Sequence, residues 1–329
     1  MGYRKENYKN IRAEYETKAL EAQKDADMRR AEVYAEIPAV KVLDERLGAF
    51  GLRIMQAALK GGDTQSAIAE LRTENEKILA SRAELLRTHG FPADYTEPHY
   101  ACDKCKDSGY VGIQMCDCMR MRLIEAGMES SGLSALMRTQ SFENFSLEYY
   151  KKNPEELARM ERSYKAIRAY AEGFSMERGK PMPPSMLFLG GTGLGKTHLS
   201  TSIARKVIER GYDVFYNSAV GMISDFEFRR FGNSLAPTEG DNTERYTECD
   251  LLIIDDLGTE VVNQFTLSCL YHVINTRLNL QKPTIISTNL SSSDLRKAYS
   301  DRILSRLMGE YLVIPFYGTD IRRQKIEKR

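Results

Sequence analysis

The sequence lacks the features that mark several specialised classes of protein. It contains no apolar run of about 18 residues or more, which excludes a conventional membrane span. Its N-terminus, MGYRKENYKNIRAEYETKAL, lacks the apolar core of a secretory signal. Acidic and basic residues are nearly equal in number, giving a formal net charge of +1, so the chain as a whole is not polybasic. These absences predict a cytoplasmic protein in which any contact with nucleic acid depends on a local basic surface.

Cysteine is also scarce, with six residues in a chain of 329, which argues against a disulfide scaffold. Four of these cysteines form two close pairs joined by a ten-residue loop: Cys102, Cys105, Cys116 and Cys118. Thiolates at this spacing fit a closed, tetrahedral Zn²⁺ site of structural character, since a segment this short has too little core to fold alone. A ligand set in which His99 replaces one thiol stays open, as does a segment without metal. We expect Cys249 and Cys269 to be ordinary buried thiols.

The first 92 residues are highly charged and have the periodicity of helices. Pro38 suits a first helical position, and a stripe of apolar residues at spacings of three and four follows it: Val40, Leu43, Leu47, Phe50 and Ile54. A second stripe ends at His89–Gly90: Ile68, Leu71, Ile78 and Leu85. Gly61–Gly62–Asp63 separates the two, which predicts a helical hairpin. The hairpin either buries its stripe in its own small bundle or uses part of it to dock a partner protein.

From about residue 155 the pattern changes to short apolar runs separated by helical stretches. The runs end in small or polar residues and occupy residues 186–190, 213–218, 251–256 and 283–289. Helical patterns begin near Thr197 and cover Gln264–Leu280. This alternation predicts an α/β fold with a parallel sheet between two layers of helices.

A glycine-rich loop follows the first of these strands and matches G-x-x-x-x-G-K-[ST] at every fixed position: Gly190, Gly191, Thr192, Gly193, Leu194, Gly195, Lys196 and Thr197. Glycines allow successive backbone N–H groups to point at a phosphate, aided by the positive end of the following helix. The lysine supplies a charge to the β- and γ-phosphates, and the threonine hydroxyl is a ligand for Mg²⁺. The loop therefore predicts an ATP·Mg²⁺ site.

Two further strand ends add to this site. Four apolar residues lead into Asp255 and Asp256, where the first carboxylate is expected beside Mg²⁺ and the second is expected to deprotonate the attacking water. Aspartate reaches less far than the glutamate common at the second position, so slow hydrolysis is expected. Asn289 ends the last predicted strand, where its amide is expected to align the same water.

These motifs together resemble the AAA+ ATPases, and more narrowly the replicative helicase loaders of the DnaC/DnaI type and the IstB-like transposition helpers. The resemblance covers about residues 140–329 and rests on GGTGLGKTHLS, LLIIDDLGTE, ISTNLS, DRILSRLMGEY and GTDIRRQK. It implies an arginine finger that reaches a neighbouring subunit's nucleotide, here Arg306 with Arg302 as the alternative. It also implies a nucleotide-sensing arginine at Arg322, uncertain by one position because Arg323 follows.

The resemblance also extends to the cysteine segment, because CDKCKDSGYVG…CDC is similar to the segment before the ATPase in DnaI-like loaders. We therefore expect three parts: a helical partner-binding region (1–92), a zinc-binding segment with a linker (93–135) and an AAA+ ATPase domain (136–329). The implied partners are a hexameric replicative helicase, single-stranded DNA and further copies of this chain. The aromatic and basic residues of Phe226–Phe231 are candidates for the DNA contact, although they equally fit a helix with a buried aromatic face.

Overall fold

The structure is a computed structural model that describes residues 3–59, 64–231 and 242–327. The chain divides into two compact units, one formed by residues 10–119 and the other by residues 1–9 together with 120–329. The predicted turn at Gly61–Gly62–Asp63 lies outside the described residues. None of the helices within the described ranges is both long and apolar enough to cross a membrane.

The helices of the N-terminal part are α1 (Lys5–Glu36), α2 (Pro38–Gly48), α3 (Phe50–Leu59) and α4 (Thr64–Thr88). Pro38 begins α2 as predicted, and Gly90 adopts a left-handed φ of +85° just after α4. The prediction of a single helix after Pro38 is wrong, because the helix is interrupted at Ala49, which lies between the poor helix formers Gly48 and Gly51. A small core holds α1, α2 and α4 together: Val33, Ile37, Val40 and Leu86.

The cysteine segment contains a short antiparallel hairpin, β1 (Tyr110–Val111) and β2 (Gln114–Met115), which precedes α5 (Asp117–Ser130) and α6 (Ser134–Met137). Ile124, Leu133 and Met137, from α5 and α6 and the loop between them, belong to the hydrophobic core of the larger unit. The compact unit that contains the glycine-rich loop therefore begins near Arg120, earlier in the chain than the expected boundary at residue 136. The reason is that α6 packs against α8, described next, and that apolar residues of α5 and α6 are buried in the core of this unit.

The rest of the larger unit alternates helices and strands. Its helices are α7 (Pro154–Gly173), α8 (Lys196–Glu209), α9 (Ala219–Phe231), α10 (Arg245–Glu248), α11 (Gln264–Asn279), α12 (Ser292–Ala298), α13 (Asp301–Gly309) and α14 (Ile321–Glu327). Its strands are β3 (Met186–Leu189), β4 (Val214–Ser218), β5 (Leu251–Leu257), β6 (Thr284–Thr288) and β7 (Leu312–Pro315). The four predicted strands are confirmed, whereas β7 was not expected.

The five strands form one parallel sheet in the order β4-β5-β6-β3-β7. Alternate residues of β5 enter different hydrophobic clusters: Leu251 and Ile253 join one, and Leu252 and Ile254 the other. The sheet is therefore covered by helices on both faces, which confirms the predicted α/β fold class. Because β5, β6 and β3 are neighbours, the polar residues at their carboxyl ends meet at one edge of the sheet.

Candidate nucleotide-binding site and metal centre

The glycine-rich loop connects β3 to α8 and contains residues in the left-handed region. Gly193 and Gly195 have φ values of +75° and +85°, which L side chains rarely adopt. A Cβ at Gly193 would lie 1.9 Å from Oδ1 of Asp320, and one at Gly195 would lie 2.7 Å from a ring carbon of Phe145. Glycine at these positions is thus required both by the backbone conformation and by close approach of other segments.

Lys196 is the first residue of α8 and is buried, with 5% of the residue exposed. Its Nζ donates hydrogen bonds to the carbonyl oxygens of Gly190 and Gly191, each at 2.7 Å, and to Oδ1 of Asn289 at 2.6 Å. Burial lowers the pKa of Lys196, while the carboxylates of Asp256 and Asp255 act in the opposite direction. Three neutral oxygen acceptors thus hold the ammonium group of Lys196 at the loop, where a positive charge is needed to bind phosphate.

Asp255 lies at the carboxyl end of β5 and is buried. Three hydroxyl groups donate to its carboxylate: that of Thr197 at 2.8 Å, that of Tyr216 at 2.9 Å and that of Ser287. A carboxylate and a hydroxyl oxygen placed this closely are the hard oxygen ligands that Mg²⁺ prefers. The donor set therefore fits the predicted magnesium site, and sequence analysis did not identify Tyr216 and Ser287 as its supports.

Asp256 follows in an irregularity of β5, with a left-handed φ of +55° that aspartate tolerates better than most residues. Its backbone N–H donates to the hydroxyl of Ser287 at 3.0 Å, which helps to fix this conformation. Burial and the neighbouring charge of Asp255 raise the pKa of Asp256, and the positive charges of Lys196 and Arg322 partly offset the effect. A carboxyl group with a raised pKa at the edge of a cleft has the properties of a candidate general base.

Several of these residues, beginning with Thr192 in the glycine-rich loop, line one cleft of about 320 Å³. The residues from the glycine-rich loop, Asp256, Asn289 and Arg322 form one side of it. A second group of lining residues, which sequence analysis missed, comes from α6 and the segment after it: Leu136, Gln140, Asn144, Phe145, Ser146 and Tyr149. No recognisable motif in the sequence marks these residues.

The predicted arginines occupy different positions. Arg322, at the start of α14, lines the cleft, whereas Arg323 is not among the lining residues. Arg306 lies on α13 away from the cleft of its own chain, and its guanidinium bonds to Asn275 Oδ1 at 2.6 Å and to the hydroxyl of Tyr271 at 3.0 Å. Arg302 is exposed on the same helix.

The four clustered cysteines converge in space, with all four Sγ atoms within 4.8 Å of one another. Cys102 and Cys116 are 3.9 Å apart and Cys105 and Cys118 are 3.5 Å apart, close to the sulfur–sulfur edge of about 3.8 Å implied by Zn–S bonds of about 2.3 Å. His99 is not part of this cluster. The cluster fits a four-thiolate zinc site.

Hydrogen bonds of Asp107 and a glycine at position 109 stabilise the turn between the cysteine pairs. The carboxylate of Asp107 accepts hydrogen bonds from the backbone N–H groups of Ala101 and Cys102. Gly109 has a φ of +75°, and a Cβ there would lie 2.4 Å from the sulfur of Met119. The other two cysteines, Cys249 and Cys269, are buried and unpaired, as predicted.

The aromatic and basic segment at the end of α9 divides between core and surface. Phe226 packs against Tyr246 at a ring distance of 5.5 Å, while Phe228 and Phe231 are 62% and 69% exposed. The guanidinium of Arg230 lies over the ring of Phe231 at 5.3 Å. The exposed residues retain the composition suited to stacking on bases, and their contact with DNA stays a prediction.

A parallel sheet, a glycine-rich loop with a buried lysine, and a strand ending in two aspartates define a P-loop ATPase. A family model, IstB-like ATP binding protein, matches residues 183–328. The replicative helicase loader DnaC of Buchnera aphidicola subsp. Schizaphis graminum is 24% identical over 187 residues, covering 56% of this chain and 70% of that protein. The phage-like element PBSX protein XkdC of Bacillus subtilis (strain 168) is 27% identical over 267 residues, covering 76% of this chain and 92% of that protein.

Among solved structures, a crystal structure of the DnaC helicase loader matches with a TM-score of 0.44 and 22% identity, covering 56% of this chain and 99% of that chain. The sequence comparisons confirm the resemblance inferred from the motifs. The C-terminal part of the chain is similar to the DnaC-like and IstB-like ATP-binding proteins over the region that contains the glycine-rich loop and the paired aspartates.

Proposed function

We propose that this protein is an ATP-dependent loader that binds a hexameric replicative helicase and delivers it onto single-stranded DNA. The observation that carries the proposal is the similarity to DnaC loaders over 187 residues, in a chain whose glycine-rich loop lines a cleft. The hydrogen bonds of Lys196 with Asn289 and of Thr197 with Asp255 support the binding of a nucleoside triphosphate with Mg²⁺. An adaptor with a vestigial ATPase would not need these groups.

In the proposed site, Lys196 leaves the carbonyl groups of its own loop and binds the β- and γ-phosphates. Thr197 and Asp255 would hold Mg²⁺, which would neutralise charge on the phosphates when bound. Asp256 takes the proton of the attacking water, and Asn289 orients that water. The short reach of Asp256 favours slow turnover.

Hydrolysis in this proposal depends on assembly through the AAA+ domain. Arg306 would leave Asn275 and Tyr271 and reach the nucleotide of the neighbouring subunit, where a guanidinium stabilises charge on the γ-phosphate. Arg322 would sense the same nucleotide from α14. ATP would favour the helicase-bound assembly, and hydrolysis would favour release.

The proposed helicase contact lies in the N-terminal helices. Part of their apolar surface is buried in the small core, but α3 leaves Leu52, Met55 and Leu59 between 54% and 78% exposed. Exposed apolar side chains clustered on one short helix are typical of a surface that docks another protein. This separates partner binding (α1–α4) from the ATPase cleft.

The test is native mass spectrometry of the purified protein with its host's replicative helicase, with and without ATP·Mg²⁺. We expect a discrete complex that contains a helicase hexamer. Met55→Glu should abolish it, whereas Met121→Glu, at a comparably exposed methionine on α5 and outside α1–α4, should leave it intact. Lys196→Ala should abolish nucleotide binding but not the helicase contact.

Two results would contradict the proposal. Loss of both activities in a folded Lys196→Ala protein would refute the separation of roles. The absence of any complex under both conditions would favour the IstB-like alternative, a transposition helper that binds duplex DNA and recruits a transposase. A pull-down with a transposase as bait would then be the next experiment.

A further inference from the structure

One face of α1 is buried, although most of the helix is charged. The buried residues are Ile11, Tyr15, Ala26 and Val33, which fall within about 60° of one another around the helix axis. Tyr15 is the only one of the four with a polar group, and it is 8% exposed. A tyrosine buried to this extent needs a hydrogen-bond partner for its hydroxyl.

The partner of the Tyr15 hydroxyl belongs to the cysteine cluster. The hydroxyl is hydrogen-bonded to the sulfur of Cys118, which itself lies 3.5 Å from the sulfur of Cys105. A cysteine that binds a metal is a thiolate and has no proton to donate, so the phenol is the donor in this pair. A hydrogen bond to a charged acceptor is roughly twice as strong as one between neutral groups.

The same face of α1 also holds the chain that leads into the cysteine segment. The guanidinium of Arg29 donates to the carbonyl oxygen of Tyr95 at 2.7 Å and to that of Glu97 at 2.8 Å. Arg29 lies about four turns after Tyr15, so both side chains leave α1 on nearly the same side, about 21 Å apart along the axis. Residues 95–118 are therefore fastened to α1 at both ends.

We propose that Tyr15 is a positioning residue of the zinc site: its hydroxyl donates to the metal-bound thiolate of Cys118, and the bound metal in turn holds α1 against the cysteine segment. This inference rests on the four-thiolate zinc site and goes beyond the proposed loading of a helicase. A group that hydrogen-bonds a metal ligand orients it, and its loss typically weakens metal binding about 10- to 100-fold.

The first test measures zinc affinity of the full chain in competition with a chromogenic chelator. Tyr15→Phe keeps the aromatic ring and loses only the hydroxyl, so we expect it to bind zinc about tenfold or more weakly than the wild type. Tyr34→Phe is the matched control on the same helix, because its hydroxyl donates to Oδ2 of Asp44 at 2.9 Å. The control should keep the wild-type affinity.

A second readout distinguishes the hydrogen bond from simple packing. With Co²⁺ in place of zinc, the thiolate-to-metal charge-transfer band reports electron density at sulfur, which an O–H donor withdraws. Tyr15→Phe should move this band to longer wavelength, and Tyr34→Phe should leave it in place. In the wild-type chain, removal of the metal should also speed hydrogen exchange of residues 11–18 on α1, but not that of α11 in the other unit.

Wild-type zinc affinity together with an unchanged cobalt spectrum in Tyr15→Phe would overturn the role of Tyr15. Exchange of residues 11–18 that is the same with and without metal would overturn the link between the metal and α1. That measurement needs no substitution, so it decides even if the variant fails to fold. A wild-type chain that binds no zinc would refute the metal site itself.

Discussion

Replacing Gly193 with alanine tests how the glycine-rich loop is joined to α14. The glycine has a φ of +75°, and its carbonyl accepts a hydrogen bond from the N–H of Ile321 at 3.1 Å. An added Cβ would lie 1.9 Å from Oδ1 of Asp320, and that oxygen accepts a hydrogen bond from the N–H of Arg322 at 2.8 Å. Gly193→Ala must therefore adopt a left-handed backbone and also displace the side chain that caps α14.

The two effects set the expected size of the change. The left-handed conformation costs about 1–2 kcal/mol for a non-glycine residue. Loss of the Asp320 cap costs about 1 kcal/mol. A total of about 2–3 kcal/mol corresponds to a fall in Tm of roughly 4–12 °C for a unit of this size. We expect this fall in thermal unfolding followed by circular dichroism, together with weaker ATP binding.

Gly191→Ala is the matched control in the same loop. A Cβ at Gly191 has only a carbon of Leu194 nearby, at 3.8 Å, which is ordinary contact, so its Tm should change by roughly 2 °C or less. Asp320→Ala removes the clashing carboxylate. The double variant with Gly193→Ala should therefore be more stable than the sum of the two single changes, by at least about 0.5 kcal/mol. Additive effects, or a Gly193→Ala protein as stable as Gly191→Ala, would refute the reasoning.

Three further predictions concern the zinc site, the candidate general base Asp256 and the candidate arginine finger Arg306. Purified protein should contain one zinc per chain by elemental analysis. Cys105→Ser should lose both the metal and the protection of the cysteine segment from hydrogen exchange. If that protection survives removal of the metal by a chelator, the metal has no structural role. Because the pKa of Asp256 is raised, the ATPase rate should begin to fall in acid at a pH above 3.8, the ordinary pKa of aspartate, as the deprotonated base is lost. Asp256→Asn should lower the rate about 100-fold and abolish the acid limb of the pH profile. Arg306→Ala should bind ATP normally yet hydrolyse it about 1000-fold more slowly. Mixing it with Lys196→Ala should restore part of the ATPase activity, because the Lys196→Ala subunits still carry Arg306. A mixture as inactive as its components would exclude an arginine finger supplied by the neighbouring subunit.

The main parts of the fold could be predicted because their signals are local. The four strands were predicted from apolar runs that end in polar residues; β3, β5 and β6 lie inside the sheet, and β4, at its edge, begins with two buried residues. The edge strand β7 was missed because it is short, partly exposed and ends in Pro315, so it has the character of a loop. The interruption between α2 and α3 at Ala49 was missed because the stripe of apolar residues continues across it in the sequence.

The sequence by itself determined the class of chemistry, because the glycine-rich loop is a contiguous segment whose residue types prescribe its backbone and its charge. The spacing of the cysteines likewise determined a candidate zinc site, since chelation needs only four thiols on a short loop. Tertiary structure alone decided what surrounds these groups. Tyr216 and Ser287 reach Asp255 from other strands, and Asp320 reaches Gly193 across more than a hundred residues of chain. Such contacts have no periodicity or motif in the sequence, because they depend on how separate elements pack.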